Sequence, residues 1–248
     1  MRGDRMRFQD KVAIVTGAGQ GIGEDYARAL AAEGARVVVA DINEEQGQRV
    51  AKDIDSALFV KVDVGDPASA DALAAATVAE FGRIDYLINN AAIYHSMRRE
   101  GLTTVDLDYL NRFVQVNLMG ALYVTRAVVP HLSEGAAIVN QSSAAAYMAS
   151  GYYGLAKIGI NHLTASLAAE LGGRGIRVNG IAPGPTDTEA TATVVPVEFQ
   201  QRMTQALAIK RMGTPGDLTP TVLFLLSDDA GWLTGQTISV DGGQVVRL

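Results

Sequence analysis

Short apolar runs of strand length recur along this chain, and stretches with helical periodicity fill most of the gaps between them. The runs cover residues 12–15, 36–40, 57–62, 84–88, 136–140, 176–181 and 237–240. They are largely apolar throughout instead of alternating with polar residues, the pattern of strands buried on both faces. Strand–helix alternation of this kind predicts a parallel sheet sandwiched by helices, and right-handed crossovers then make it doubly wound. The expectation is an α/β chain with one seven-stranded sheet and helices on both faces. In such sheets a ligand binds beyond the carboxyl ends of the strands, where strand order reverses. The residues just after each strand therefore deserve the closest reading.

Composition narrows the function classes. The chain has 248 residues, 48% of them apolar, which suits one domain over residues 1–248. It has no cysteine, so disulfides, thiolate metal sites and a cysteine nucleophile are excluded. The three histidines are scattered, with no carboxylate cluster to make a metal site. A net charge of −6 argues against nucleic acid or an anionic membrane as partner. No apolar run approaches the roughly 18 residues of a membrane span. The charged start, Met1 to Arg7, lacks the apolar stretch of a secretory signal and reads as an untethered arm. A cytoplasmic location is the expectation. One long irregular zone, residues 183–213, contains Pro183, Pro185, Pro196 and a threonine cluster, and reads as a lid or binding loop.

Thr16-Gly17-Ala18-Gly19-Gln20-Gly21-Ile22-Gly23 follows the first strand directly and opens the first helix, which Gly34 ends. Such glycines permit a tight turn and let backbone amides approach a pyrophosphate, while the helix N-terminus supplies free N–H groups. Asp41 ends the second strand, eighteen residues beyond Gly23. An acid there accepts both ribose hydroxyls of an adenosine and repels a 2′-phosphate. Neither Gln20 nor Ile42 offers a cation to welcome that phosphate. The reading is NAD, not NADP. Asp63-Val64 follows the third strand, where an adenine would lie; a helix cap is the equal alternative for Asp63. Asn89-Asn90-Ala91-Ala92 follows the fourth strand, with amides able to hold cofactor and strand ends together.

Ser142-Ser143 follows the fifth strand, and ten residues later Tyr153-Gly154-Leu155-Ala156-Lys157 opens a long helix. Residues i and i+4 lie about 40° apart around a helix, so Tyr153 and Lys157 share a face; Tyr152 sits about 140° away. A free phenol, with a pKa near 10, is a poor base at neutral pH. A close ammonium favours the phenolate and is expected to lower that value. A ketone or alcohol oxygen held between the Ser143 hydroxyl and the Tyr153 phenol meets the geometry of proton transfer.

These motifs together resemble the short-chain dehydrogenase/reductase family, over almost the whole chain. They are Thr16 to Gly23, Asp63-Val64, Asn89-Asn90-Ala91, Asn117, Ser143, Tyr153 with Lys157, and Pro183-Gly184. The resemblance implies a Rossmann-type fold, NAD binding, pro-S hydride transfer and an active site of Asn117, Ser143, Tyr153 and Lys157. It also implies that Lys157 binds the nicotinamide ribose and that Asn117 holds a water in a proton relay from Lys157. Pro183, Gly184, Thr186 and Thr188 would line the nicotinamide and pyrophosphate. The serine is taken as Ser143 because the family's catalytic serine is the second of the pair. Two positions depart from the family pattern. Ala92 replaces a usual glycine, and the interval from Ser143 to Tyr153 is about three residues shorter than in many members, which reshapes the pocket edge.

His95 is a candidate substrate contact, and Tyr94, Tyr147, Tyr152 and Met148 are candidates for an apolar pocket or its rim. Arg98-Arg99 reads as a solvated pair. Residues 113–129 and the helix after Tyr153 are apolar on most of their circumference, which with the resemblance suggests a homotetramer. The function expected is NAD-dependent oxidation of a neutral, hydrophobic secondary alcohol, or reduction of the ketone. The competitors are a 3-oxoacyl-carrier-protein reductase using NADPH and a non-catalytic NAD-binding scaffold.

Overall fold

The computed structural model describes residues 6–55, 57–194 and 197–246. Its seven strands are β1 (Val12–Thr16), β2 (Arg36–Asp41), β3 (Leu58–Lys61), β4 (Ile84–Asn89), β5 (Leu132–Gln141), β6 (Arg177–Pro183) and β7 (Thr237–Val240). They form one sheet in the order β3-β2-β1-β4-β5-β6-β7, parallel at every pairing. The order reverses between β1 and β4, and this is the Rossmann-type arrangement.

Strands that are apolar throughout feed two cores at once, because successive side chains point to opposite faces. Ala13, Val15, Val37, Val39 and Ile88 face one layer, built from α1 (Gly21–Ala32), α2 (Glu44–Asp53) and α9 (Pro215–Leu226). Ile14, Val38, Ala40, Leu87 and Ile138 face the other, built from α3 (Pro67–Phe81), α5 (Gly120–Val128) and α6 (Gly151–Leu171). Local signals set the helix ends. Asn43 caps α2 by accepting from the Gln46 amide, and Asp66 caps α3 by accepting from Ala68, with Pro67 at the first helical position. Gly34, at φ 92°, takes the left-handed conformation that stops α1.

Four local expectations change. The zone 183–213 is not irregular: it holds α7 (Glu189–Val194) and α8 (Val197–Ala206). The Thr188 hydroxyl accepts from the Thr191 amide and starts α7, a cap hidden in a run of threonines. Pro196 lies outside the described residues. The helix expected across 113–129 is divided into α4 (Leu107–Val114), a π-helical turn (Gln115–Met119) and α5. The π turn carries Asn117, 2% exposed, into the interior. β5 starts at Leu132, four residues before the apolar run. Met1 to Arg5 lie outside the described residues, but Arg7 is not untethered, since its guanidinium pairs with Glu33 at 2.7 Å.

Candidate active site

Beyond the carboxyl ends of the strands lies a cavity of about 970 Å³. The glycine turn reaches it first. Gln20 precedes α1 in an extended conformation and gives no side-chain cap, so the first-turn amides stay available for a ligand. Gly23 must be glycine: a β-carbon there would lie 2.1 Å from the Gly17 carbonyl oxygen and 2.5 Å from Asn90 Nδ2. The Asn90 amide donates to the carbonyls of Thr16 (2.9 Å) and Gly17 (3.1 Å), lacing the β4 loop to the cradle. This uncapped, close-packed turn fits a dinucleotide pyrophosphate.

Asp41 is 9% exposed and does not cap α2. Its two oxygens accept from the backbone amides of Gly19 and Asn43, both at 2.8 Å, which fixes the carboxylate beside the cradle with lone pairs to spare. Arg49, eight residues on, donates to the Gly19 carbonyl at 3.1 Å and pairs with Glu24 at 2.7 Å. Asp63 is not the α3 cap either, because Asp66 is. One Asp63 oxygen accepts from the Gly65 amide, and the other pairs with Arg112 of α4 at 2.6 Å. Gly17, Gln20, Gly21, Ile22, Gly23, Asp41, Ile42, Asp63, Val64, Asn90 and Ala91 all line the cavity. So do Pro183, Gly184, Thr186 and Thr188 at the end of β6.

The two serines divide. The Ser142 hydroxyl, buried, donates to the Lys157 carbonyl at 3.0 Å and so braces α6 against β5. Ser143 lines the cavity, its hydroxyl accepting from the Ala145 amide at 3.2 Å. The tyrosines divide as well. Tyr152 turns into a separate cluster, edge-on to Phe113 at 4.7 Å, and donates to the Arg98 carbonyl. Tyr153 lines the cavity, its ring 5.6 Å from that of Tyr94. Lys157 Nζ lies 5.8 Å from the Tyr153 ring centre and donates to the Gln141 carbonyl at 2.9 Å.

The electrostatics depart from the expectation. Burial pushes the Tyr153 phenol above its ordinary value; the polar Ser143 hydroxyl pulls the other way, and Tyr94 adds to the rise. Burial also holds Lys157 down at about 8. In the chain by itself desolvation outweighs the lysine, whose ammonium is engaged by the Gln141 carbonyl.

Asn117 stands behind this group instead of in the large cavity. It lines a small cavity of about 10 Å³ together with Asn89, Gln141 and Lys157, and its Nδ2 donates to the Ile93 carbonyl at 3.3 Å. Of the apolar candidates, Tyr94 and Met148 line the large cavity, while Tyr147 and Tyr152 do not. His95 is not on the wall; its Nδ1 lies 3.0 Å from the Thr193 hydroxyl of α7. The arginine pair is not simply solvated, because Arg98 covers the Tyr109 ring at 4.4 Å and Arg99 lines the cavity. Sequence reading missed Arg49, Arg112, Met97, Met203 and Met212 as wall or cradle neighbours, since nothing local marks them. No group of three or more His, Asp or Glu that could hold a metal occurs among the described residues.

The family model described as enoyl-(acyl carrier protein) reductase matches residues 17–244. An uncharacterized oxidoreductase of Mycobacterium tuberculosis is 57% identical over 246 residues, covering 97% of this chain and 99% of that protein. The 7alpha-hydroxysteroid dehydrogenase of Escherichia coli K12 is 34% identical, covering 99% and 98%. Among solved structures, a short chain dehydrogenase from Burkholderia cenocepacia in complex with NADP superposes with a TM-score of 0.89 at 31% identity, covering 96% and 99%. Fold and relatives together define an oxidoreductase on a Rossmann-type sheet. More particularly, the chain belongs to the short-chain dehydrogenase/reductase family.

Proposed function

We propose that this protein is an NAD-dependent oxidoreductase that moves a hydride between nicotinamide and a hydrophobic secondary alcohol or ketone. The observation that carries this reading is that Ser143 and Tyr153 line the same cavity as the glycine cradle, with Lys157 Nζ 5.8 Å from the Tyr153 ring centre. NAD would supply the hydride acceptor, held by the cradle, by Asp41 and by the 183–188 segment. Ser143 donates to the substrate oxygen. Tyr153 takes or returns the proton at that oxygen. Lys157 orients the ribose and supplies positive charge toward the phenol, and Asn117 would hold a water that links Lys157 into a proton relay. Burial alone disfavours the phenolate, so the positive charge of an oxidised nicotinamide is part of what makes Tyr153 a base.

The substrate side is apolar and adaptable. Ile93, Tyr94, Met97, Met148, Met203 and Met212 line it, and unbranched methionines reshape around bulky ligands. A hydroxysteroid dehydrogenase at 34% identity supports a large alicyclic alcohol. A panel of secondary alcohols with NAD, followed by NADH absorbance, tests the reading. NAD binding without turnover of any alcohol favours the scaffold instead. An acyl-carrier thioester reduced with NADPH in preference to every simple ketone favours the carrier-protein alternative.

Coenzyme choice rests on Asp41, whose fixed carboxylate meets the ribose hydroxyls and repels a 2′-phosphate. Asp41→Ser is expected to raise kcat/KM with NADP relative to NAD by about tenfold, roughly 1.4 kcal/mol. An unchanged ratio would place the discrimination elsewhere, with Arg49 the next position to test.

No helix among the described residues is long and apolar enough to cross a membrane. A homotetramer is supported by Leu155 and Ile158, which stand exposed on the outer face of α6 at 56% and 43%.

A further inference from the structure

Gln141 ends β5 beside the large cavity, and its polar atoms are unevenly engaged. Its backbone carbonyl accepts from Lys157 Nζ at 2.9 Å, and its side-chain oxygen accepts from the Tyr26 hydroxyl at 2.8 Å. Its Nε2 has no hydrogen-bond partner among the described residues, although the residue lines the cavity wall. An amide nitrogen carries two donors, so two hydrogens stand unused at the edge of a site that fits a ligand.

The orientation of that amide follows from Tyr26. This tyrosine of α1 is fully buried, and Gln141 is the partner of its hydroxyl. Burial raises the phenol above its ordinary value, with the Asp25 carboxylate adding to the rise, so the hydroxyl keeps its proton and needs an acceptor. Reversing the Gln141 amide would turn Nε2 toward the phenol oxygen and leave the phenol proton buried without one. Oε1 therefore stays on Tyr26, and Nε2 is the atom left for the cavity. Val139 and Gln141 share the face of β5 that is turned toward α1. Ile22 precedes Tyr26 by four residues on the same helix face and lines the cavity. Gln141 is thus anchored by its side chain to the helix that opens the cradle, and by its main chain to the lysine near Tyr153.

We infer that Gln141 is a further cofactor-binding residue, whose Nε2 donates to an oxygen of the nicotinamide half of the dinucleotide, and that Tyr26 positions it. A dinucleotide with its pyrophosphate at the first-turn amides of α1 and its nicotinamide beside Tyr153 crosses the interval that Gln141 spans. That half offers oxygen acceptors throughout: a phosphate, the ribose hydroxyls and the carboxamide. The adenosine half belongs to Asp41, at the end of β2. β2 lies three strand spacings from β5, about 14 Å away, too far for a glutamine side chain. An apolar residue at position 141 could line the wall equally well but could not donate, so the amide adds recognition to what would otherwise be packing.

The inference rests on the proposed binding of NAD, and its test reads affinity instead of turnover. Binding of NAD, ADP-ribose and AMP to the whole chain is measured by calorimetric titration. Gln141→Leu is expected to weaken NAD by about three- to tenfold, the effect of one hydrogen bond, and to leave AMP within about twofold. Tyr26→Phe frees the amide to turn and is expected to weaken NAD by a smaller factor. In the Gln141→Leu background Tyr26→Phe should add no further loss, because the amide it orients is gone. ADP-ribose carries the same phosphates and second ribose but no nicotinamide. A loss matching that of NAD puts the acceptor on phosphate or ribose, and native ADP-ribose affinity puts it on the carboxamide. Native NAD affinity in folded Gln141→Leu overturns the inference, and so does an equal loss with AMP. Additive losses in the double variant overturn the part given to Tyr26. Gln141→Leu strands a buried hydroxyl. If it does not fold, the double variant, which removes both partners, takes its place and must lose NAD affinity while keeping that for AMP. A native chain that binds no NAD overturns the proposed function itself, a failure distinct from native binding with an insensitive Gln141.

Discussion

Tyr153→Phe is expected to bind NAD within about twofold of the native affinity and to lose turnover by about 10²–10⁴-fold, the usual worth of a positioned acid–base group. The phenyl ring keeps its contact with Tyr94, and only a cavity-lining hydroxyl is removed, so folding should be nearly unaffected. Calorimetric titration with NAD and NADH absorbance measure the two quantities separately. Activity within tenfold of native would remove Tyr153 from the chemistry. The pH dependence has a definite sign. Burial raises the phenol, so alcohol oxidation, which needs the phenolate, should climb with pH in the NAD complex. Ketone reduction, which needs the phenol, should fall over the same range. Residual activity in Tyr153→Phe should lack this dependence.

Gly23→Ala is the second large effect. The added methyl would sit 2.1 Å from a backbone oxygen and 2.5 Å from the amide that laces two loops together, and neither can yield without opening the cradle. An overpacking cost of about 2 kcal/mol is expected in stability. That corresponds to a melting temperature lower by about 4–8 °C for a domain of this size. The NAD dissociation constant should rise by about thirtyfold, a separate loss of about 2 kcal/mol from the displaced cradle amides. Gly172→Ala is the matched control, because a methyl there meets nothing within 4 Å. Native melting and native NAD affinity in Gly23→Ala would mean that the turn does not hold the pyrophosphate.

The sheet was legible because a parallel strand buried on both faces writes itself as an unbroken apolar run, as at Val37, Val38 and Val39. The separation of Tyr153 from Tyr152 was legible because helical geometry sets neighbours apart by a fixed angle, and the structure sends the two rings to different places. Other features were not local enough to read. Arg112 meets Asp63 across 49 residues, and Arg49 meets Gly19 across 30. The π turn at Gln115–Met119 leaves the apolar pattern of its helix intact, so periodicity passes over it. α7 and α8 lie in a polar, threonine-rich stretch where helix and loop look alike. The lysine's spacing was visible, but the dryness around the phenol was not, and dryness decides the direction in which Tyr153 moves.

The excursion that carries α7 and α8 leaves and returns at one place. Thr186 pairs with Gly213 as an isolated parallel bridge, with Asp187 donating to the Gly213 carbonyl at 2.8 Å and Gly213 to the Pro185 carbonyl at 2.9 Å. Such a clasp fixes where the insert leaves β6 and where it returns. Mutational drift beyond Thr188, toward the returning end at Gly213, can remodel the entrance while the glycine turn after β1 keeps its own contacts. The entrance can therefore diversify as an exchangeable cassette, and a graft cut at this clasp is a natural unit for transplanting it between homologous scaffolds.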